Sequence, residues 1–203
     1  ATFAGAAAHN VSNAMQAAAA CYFSGVDAAT IAEALRGFGM SFECTPGRLN
    51  IFDGLPFRVI MDYAHNADGF RRMCAFVDRL PVNGKKILMV GFTDDRRAAD
   101  IKAAATVLAG HFDHYVCRNF KLLRGQLPQE IPALLKEGLL SAGVPDAAVS
   151  IVPDADQAVQ SSLEGAKPGD LVVLLVGSSE FQRVWDLLRS MVDVRMPHPD
   201  EVA

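Results

Sequence analysis

Downstream of residue 85 the chain alternates short apolar runs with stretches of helical periodicity. The runs are Lys86-Ile87-Leu88-Met89-Val90, His114-Tyr115-Val116-Cys117, Val149-Ser150-Ile151-Val152 and Leu171 to Val176. Helical spacing covers Arg97 to Ala109, Gln129 to Ala142, Ala155 to Glu164 and Ser179 to Val192. A strand apolar on both sides must be covered on both faces, and strands joined by helical crossovers run parallel. The pattern therefore predicts an α/β fold: a Rossmann-like, mainly parallel sheet with helices on both faces. Upstream, Leu49-Asn50-Ile51-Phe52, a turn at Asp53-Gly54, and Phe57 to Met61 read as an N-terminal hairpin. A helix from Asp68 to Leu80 follows it. With 203 residues, 51% of them hydrophobic, the chain can bury one full-sized core and has sequence left over.

That surplus lies at the start. His9 to Phe23 is dense in alanine, with Val11, Met15, Ala18 and Tyr22 at helical spacing. Asp27 reads as the N-cap of a second helix whose apolar face is Ile31, Leu35 and Phe38. Glu43 to Arg48 reads as a linker. Two helices of this length cannot make a core alone, so they are expected to belong to a domain whose main part lies elsewhere. Ala1 is not methionine, which fits a segment of a longer protein or a processed start. Ala4 to Ala20 has no basic n-region and is interrupted by His9, Asn10, Ser12, Asn13 and Gln16, so it is not read as a signal peptide. At the other end, Pro197-His198-Pro199 cannot be helical.

A net charge of −4 gives no basic footprint, so no nucleic-acid partner is expected. The longest apolar run, Leu171 to Gly177, is far too short to span a membrane, and no membrane partner is expected either. Cys21, Cys44, Cys74 and Cys117 are scattered without a C-x-x-C pair, against zinc and against a disulfide framework. Small buried thiols in a reducing cytoplasm are the expected case. The chain lacks a G-x-x-x-x-G-K-[ST] phosphate loop, a G-x-G-x-x-G fingerprint and a G-x-S-x-G elbow. A self-sufficient dinucleotide domain and an α/β-hydrolase are both disfavoured.

Polar groups collect where the first long strand ends, at Asp62-Tyr63-Ala64-His65-Asn66. An acid, an imidazole and an amide at the carboxyl end of a strand sit where open α/β sheets bind ligands. Each alone reads equally as a turn residue satisfying backbone groups. Pro46-Gly47-Arg48 could bring a guanidinium to the same loop. Further along, Gly91-Phe92-Thr93-Asp94-Asp95-Arg96-Arg97 leaves a strand and enters a helix. Asp94 or Asp95 would cap that helix or bind a cation, and the arginines would meet phosphate oxygens. In Gly177-Ser178-Ser179-Glu180 a serine N-cap is the simplest reading. Five loops are expected on one rim: 62–68, 91–97, 118–125, 153–156 and 177–180.

Five motifs in order carry a resemblance. His9-Asn10-Val11-Ser12-Asn13 before an alanine-rich helix resembles the end of the central ATPase domain of the Mur ligase superfamily. Pro46-Gly47-Arg48 and Asp62-Tyr63-Ala64-His65-Asn66 resemble the start of its carboxy-terminal domain, and Gly91 to Arg97 and Leu123-Arg124-Gly125 resemble stretches of the Mur-ligase-like part of cyanophycin synthetases. The resemblance implies a remnant of the central domain over 1–43 and the carboxy-terminal domain over 44–203. It implies an ATP-dependent amide ligase whose closing lobe presents an amine to an acyl phosphate, with arginine or lysine added to a poly-aspartate backbone. A peptidoglycan Mur ligase or a folylpolyglutamate-type ligase is the alternative within the superfamily. Outside it stands a non-catalytic Rossmann-like module that binds a small molecule.

By the same resemblance, Asn10 and Asn13 lie near the adenine of ATP, Arg48 reaches ribose or phosphate, and Asp62 holds the ribose hydroxyls. His65 and Asn66 complete that edge, with Arg48 and His65 as candidate catalytic residues. Asp94, Asp95, Arg96 and Arg124 are expected nearer the amino-acid substrate. Magnesium ligands are expected mainly in the missing domains, so this segment alone should be inactive. The partners implied are ATP, an amino acid, the missing N-terminal and central domains and, as an option, further copies of the chain. The chain departs from the family at Ala67, where proline is usual, at Phe92-Thr93, and at Arg118-Asn119-Phe120-Lys121, which replaces a stretch often acidic in cyanophycin synthetases.

Overall fold

The computed structural model describes residues 2–92, 97–120 and 130–195. Two helices come first, α1 (Ala8–Phe23) and α2 (Ala28–Gly37). The Asp27 carboxylate accepts the backbone N–H groups of Ala29 and Thr30 at 3.0 Å and so starts α2 as the sequence predicts. Neither helix buries a residue, and Met15, Tyr22, Phe23 and Phe38 stand exposed.

The hairpin follows, β1 (Asn50–Phe52) antiparallel to β2 (Arg58–Asp62). The rest alternates: α3 (Ala67–Val77), β3 (Lys86–Phe92), α4 (Ala98–Leu108), β4 (His114–Asn119), α5 (Glu130–Ser141), β5 (Val149–Ile151), α6 (Ala155–Glu164), β6 (Leu171–Leu175) and α7 (Phe181–Arg195). The strands form one six-stranded sheet in the order β1-β2-β6-β3-β4-β5, parallel everywhere except β1–β2. The α/β, Rossmann-like layout is thus confirmed.

Successive strand residues feed two cores. Ile60, Leu88, Val90, Tyr115, Cys117, Leu171, Val173 and Leu175 pack against α3, α4 and α5. Val59, Met61, Ile87, Met89, Val116, Val172 and Leu174 pack against α6 and α7. The helices that follow β2, β3 and β4 therefore lie on one face, and those that follow β5 and β6 lie on the other. The winding reverses where β6 inserts between β2 and β3. Loops diverge to opposite faces there and leave a crevice at the carboxyl ends.

Several local readings need correction. Strands β3 and β4 each run two residues beyond the apolar runs, because Gly91 and Phe92 continue the ladder with Arg118 and Asn119. Neither Ser178 nor Ser179 caps the last helix. Ser178–Glu180 is a 3-10 turn entered from Gly177, and α7 begins at Phe181. Arg97, ion-paired with Asp100, occupies the N-cap position of α4 without a side-chain cap bond, and Asp94 and Asp95, the expected caps, lie outside the described residues. Cys74 and Cys117 are buried as expected, and burial pushes both thiols up to about 12. Cys21 and Cys44 are exposed, because the helix and linker that carry them are not covered by the core.

Candidate functional site

The crevice beside the end of β2 opens into a cleft of about 320 Å³. Asn10 and Asn13 of α1, Arg48 of the linker, and Asp62, His65 and Asn66 of the loop after β2 all line it. Six candidate residues, separated by up to 56 positions, are thereby brought together. Asp94, Asp95, Arg96 and Arg124 lie outside the described residues. Among the described residues, the first of the five expected rim loops lines this cleft and loops 153–156 and 177–180 do not; most of loops 91–97 and 118–125 lies outside the described residues. The cleft's remaining walls come from α1, Met40, the linker and the first turns of α3.

Asp62 is the cleft's anchor. Its Oδ1 accepts the Ala64 N–H at 2.7 Å and its Oδ2 accepts the Leu49 N–H at 2.9 Å. Burial pushes its carboxyl up, while these two bonds and the Arg48 charge pull it down without cancelling the burial. Each oxygen keeps a lone pair beyond the backbone bond, so the carboxylate can accept further donors, such as hydroxyls.

The turn that delivers Arg48 is tightly shaped. Gly47 has φ +70°, and Leu49, a branched residue, has φ +47°. Such a backbone persists only where its surroundings impose it. Here Asp62 holds the Leu49 N–H, and Asn50 holds the rest. The Asn50 side chain, 1% exposed, accepts the Gly47 N–H at 2.6 Å and donates to the Thr45 carbonyl at 3.0 Å. A Cβ on Gly47 would also run into the Phe181 ring. The Arg48 guanidinium lies over the Tyr63 ring, 5.2 Å from its centroid, and makes no ion pair among the described residues.

Two residues of the set already have structural partners. Asn66 caps α3, accepting the Gly69 N–H at 2.8 Å. His65 Nδ1 sits 2.8 Å from the Tyr63 carbonyl, which fixes the ring with Nδ1 as donor and Nε2 as the free nitrogen. The ring also lies 4.6 Å from that of Tyr63. On the opposite wall, Asn10 donates to Met40 Sδ and Asn13 to Asn10 Oδ1. His9 and Arg72 line the cleft as well, and burial and then Arg72 push the His9 imidazole down. Sequence reasoning passed over Asn50, Tyr63 and Arg72 as site residues, though Tyr63 lay inside the motif it singled out.

A second polar cluster stands on the same rim. Arg118, wholly buried, donates to both oxygens of Glu180 at 2.7 and 2.9 Å, and to the Leu175 carbonyl at 2.9 Å. Glu180 Oε2 also accepts the Gly177 N–H at 2.7 Å. This pair ties β4 to β6 and to the start of α7. Arg118 is therefore not a rim charge waiting for a substrate.

Comparison with known proteins places this geometry. The sequence model of the Mur ligase glutamate ligase domain matches residues 47–178. Cyanophycin synthetase of Synechocystis sp. is 31% identical over 173 residues, covering 85% of this chain and 20% of that protein. The UDP-N-acetylmuramoyl-L-alanyl-D-glutamate–2,6-diaminopimelate ligase of Geobacillus thermodenitrificans is 31% identical over 180 residues, 87% of this chain and 35% of that one. Among solved structures, a UDP-N-acetylmuramoyl-L-alanyl-D-glutamate–2,6-diaminopimelate ligase superposes with a TM-score of 0.62 at 20% identity, covering 93% of this chain and 39% of that chain. E. coli FolC in complex with ADP superposes with 0.54 at 25% identity, over 83% and 39%. The chain thus spans about a fifth of the cyanophycin synthetases it matches. Since the family model covers well over half of it, the chain belongs to the Mur ligase family and carries that family's glutamate ligase domain.

Proposed function

We propose that this chain is the carboxy-terminal lobe of an ATP-dependent amide ligase of the cyanophycin synthetase type, adding arginine or lysine to a poly-aspartate backbone. The observation that carries the reading is the gathering of Arg48 and Asp62, from a linker and a strand end, on one cleft at the carboxyl end of β2. A cleft of about 320 Å³ is of the size that small ligands occupy. Its pairing of a carboxylate acceptor with a guanidinium that has no carboxylate partner among the described residues suits a molecule with hydroxyls at one end and phosphates at the other.

ATP supplies the phosphoryl group that activates the acceptor carboxylate. Asp62 accepts the ribose hydroxyls, and Arg48 meets phosphate charge as the linker between the lobes closes. Closure excludes water from the acyl phosphate and aligns the amine. Asn10 and Asn13 contribute amides at the adenine end. His65 and Asn66 shape the edge, Asn66 as a helix cap first. Asp94, Asp95, Arg96 and Arg124 are assigned to the amine side. Magnesium is assigned mainly to the domains beyond this segment.

The positive charge at Arg118 does not weigh against a cationic amine, because Glu180 neutralises it inside the core. The test is ADP release by the full-length protein with magnesium, an aspartate primer and each amino acid in turn. Stimulation by arginine or lysine, reduced on the order of a hundredfold in Arg48→Ala, is the expected result. Stimulation by diaminopimelate with a muramyl acceptor, or by glutamate with a folate, would move the chain to the alternative ligases. No turnover with any amine would favour the binding module.

A further inference from the structure

The cleft rests on a residue that lies outside it. Phe181 is the first residue of α7, set immediately after Glu180. Its ring fills the space where any side chain at Gly47 would be. The ring also packs against the core beneath α7 and meets Tyr63 edge-to-face, centroids 5.8 Å apart at 84°. Tyr63 in turn carries the Arg48 guanidinium and lies against His65. One ring thus touches both the turn that delivers Arg48 and the aromatic surface on which Arg48 lies.

The base of this stack is rigid. Glu180 is 1% exposed and is held by Arg118 and by the Gly177 N–H, so the α7 start is fixed to β4 and β6. Gly47, at positive φ, lies against the ring, and Leu49, strained at φ +47°, follows two residues later in the same turn. A positive φ at Gly47 brings the backbone close enough to press on the ring, and no other residue type could come as close.

We infer that Phe181 is a positioning residue for the cleft, holding the Pro46–Leu49 turn and Tyr63 in register so that Arg48 and Asp62 face the same ligand. Its relevance to nucleotide rests on the ligase reading, while its effect on the turn does not. Removal of the ring frees the Gly47 backbone and tilts Tyr63, and Arg48 loses its platform. Asp62 keeps its Ala64 bond, so the loss falls on the Leu49 bond and on Arg48.

The test uses the full-length protein and Phe181→Ala beside Phe181→Tyr, which keeps the ring. Amide exchange of Leu49 and Gly47 is expected to quicken on the order of tenfold or more in Phe181→Ala, with the Gly177 amide unchanged and Phe181→Tyr close to wild type. Unchanged exchange at Leu49, or equal acceleration at Gly177, would overturn the inference. ADP affinity is then measured in Phe181→Ala, Arg48→Ala and the double variant. Loss of roughly tenfold in each single variant, with no further loss in the double, is the expected result. Additive losses, or full affinity in Phe181→Ala where Arg48→Ala has lost it, would also overturn it. Should Arg48→Ala and Asp62→Ala both bind ADP like wild type, the ligase reading falls, and the exchange result decides the role of Phe181 alone.

Discussion

Replacing Glu180 with Gln tests the part of the rim that the sequence concealed. The substitution keeps shape and removes charge. In the wild type, the Glu180 carboxylate accepts three bonds, two from Arg118 and one from Gly177. A glutamine presents one oxygen and one NH2 group, so at least one of these three donors faces another donor. Arg118 is left as a buried cation whose remaining acceptors are the carbonyls of Leu175 and Asn119 and the Phe120 face. Breaking a buried pair from one side costs about 3–5 kcal/mol, which for a chain of this size lowers the melting temperature by roughly 6–20 °C. Urea unfolding followed by Trp185 reports it, since that ring stacks on Phe42 at 4.6 Å and is the one tryptophan of the chain. Arg118→Met combined with Glu180→Leu removes both charges together and should cost at least about 2 kcal/mol less than the two single changes summed. A cost below about 1 kcal/mol for Glu180→Gln, or strict additivity of the pair, would refute the reasoning.

Other perturbations separate structure from binding. Asn66→Ala should destabilise by about 1 kcal/mol through loss of the α3 cap, and Asn66→Asp should not; thermal unfolding checks both, and an equal loss in the two would contradict the capping role. Asp62 is raised by burial, so the folded state favours its protonated form. The stability it contributes is complete below its ordinary value of 3.8 and is lost as pH rises through the folded value. Asp62→Asn, which leaves a backbone N–H without an acceptor, should therefore cost most near pH 4 and less toward neutrality; a gap that widens with pH in denaturant titrations would reverse the sign. In the native chain a thiol reagent should modify Cys21 and Cys44 quickly and leave Cys74 and Cys117 until unfolding, a pattern that mass spectrometry resolves.

The sheet was legible because its strands are apolar on both faces, a property each strand carries in its own residues. The hairpin and the Asp27 cap were equally local. The site was legible only as a list. Asp62 to Asn66 marked itself by crowding polar groups into a strand end, but nothing in the sequence said that α1 and the linker would join it in walling the cleft. Glu180 was hidden for a related reason. Its partner stands 62 residues away, so the local pattern of two serines after a glycine read as a cap. Asn50 was hidden inside a strand, where a polar residue between apolar ones reads as solvent-facing.

The place of β6 also governs how the molecule is assembled. It is the last strand among the described residues, yet it lies between β2 and β3, with Arg58 paired to Leu171 more than a hundred residues away. Until residues 171–175 arrive, the β1–β2 hairpin and the β3–β4–β5 block each present an unpaired edge, and neither can be joined to the other. A growing chain must carry both edges until that strand emerges, when open strands are most exposed to wrong partners. Closure by the central strand is a long-range, late event, and folding is expected to be slow and all-or-none at that step.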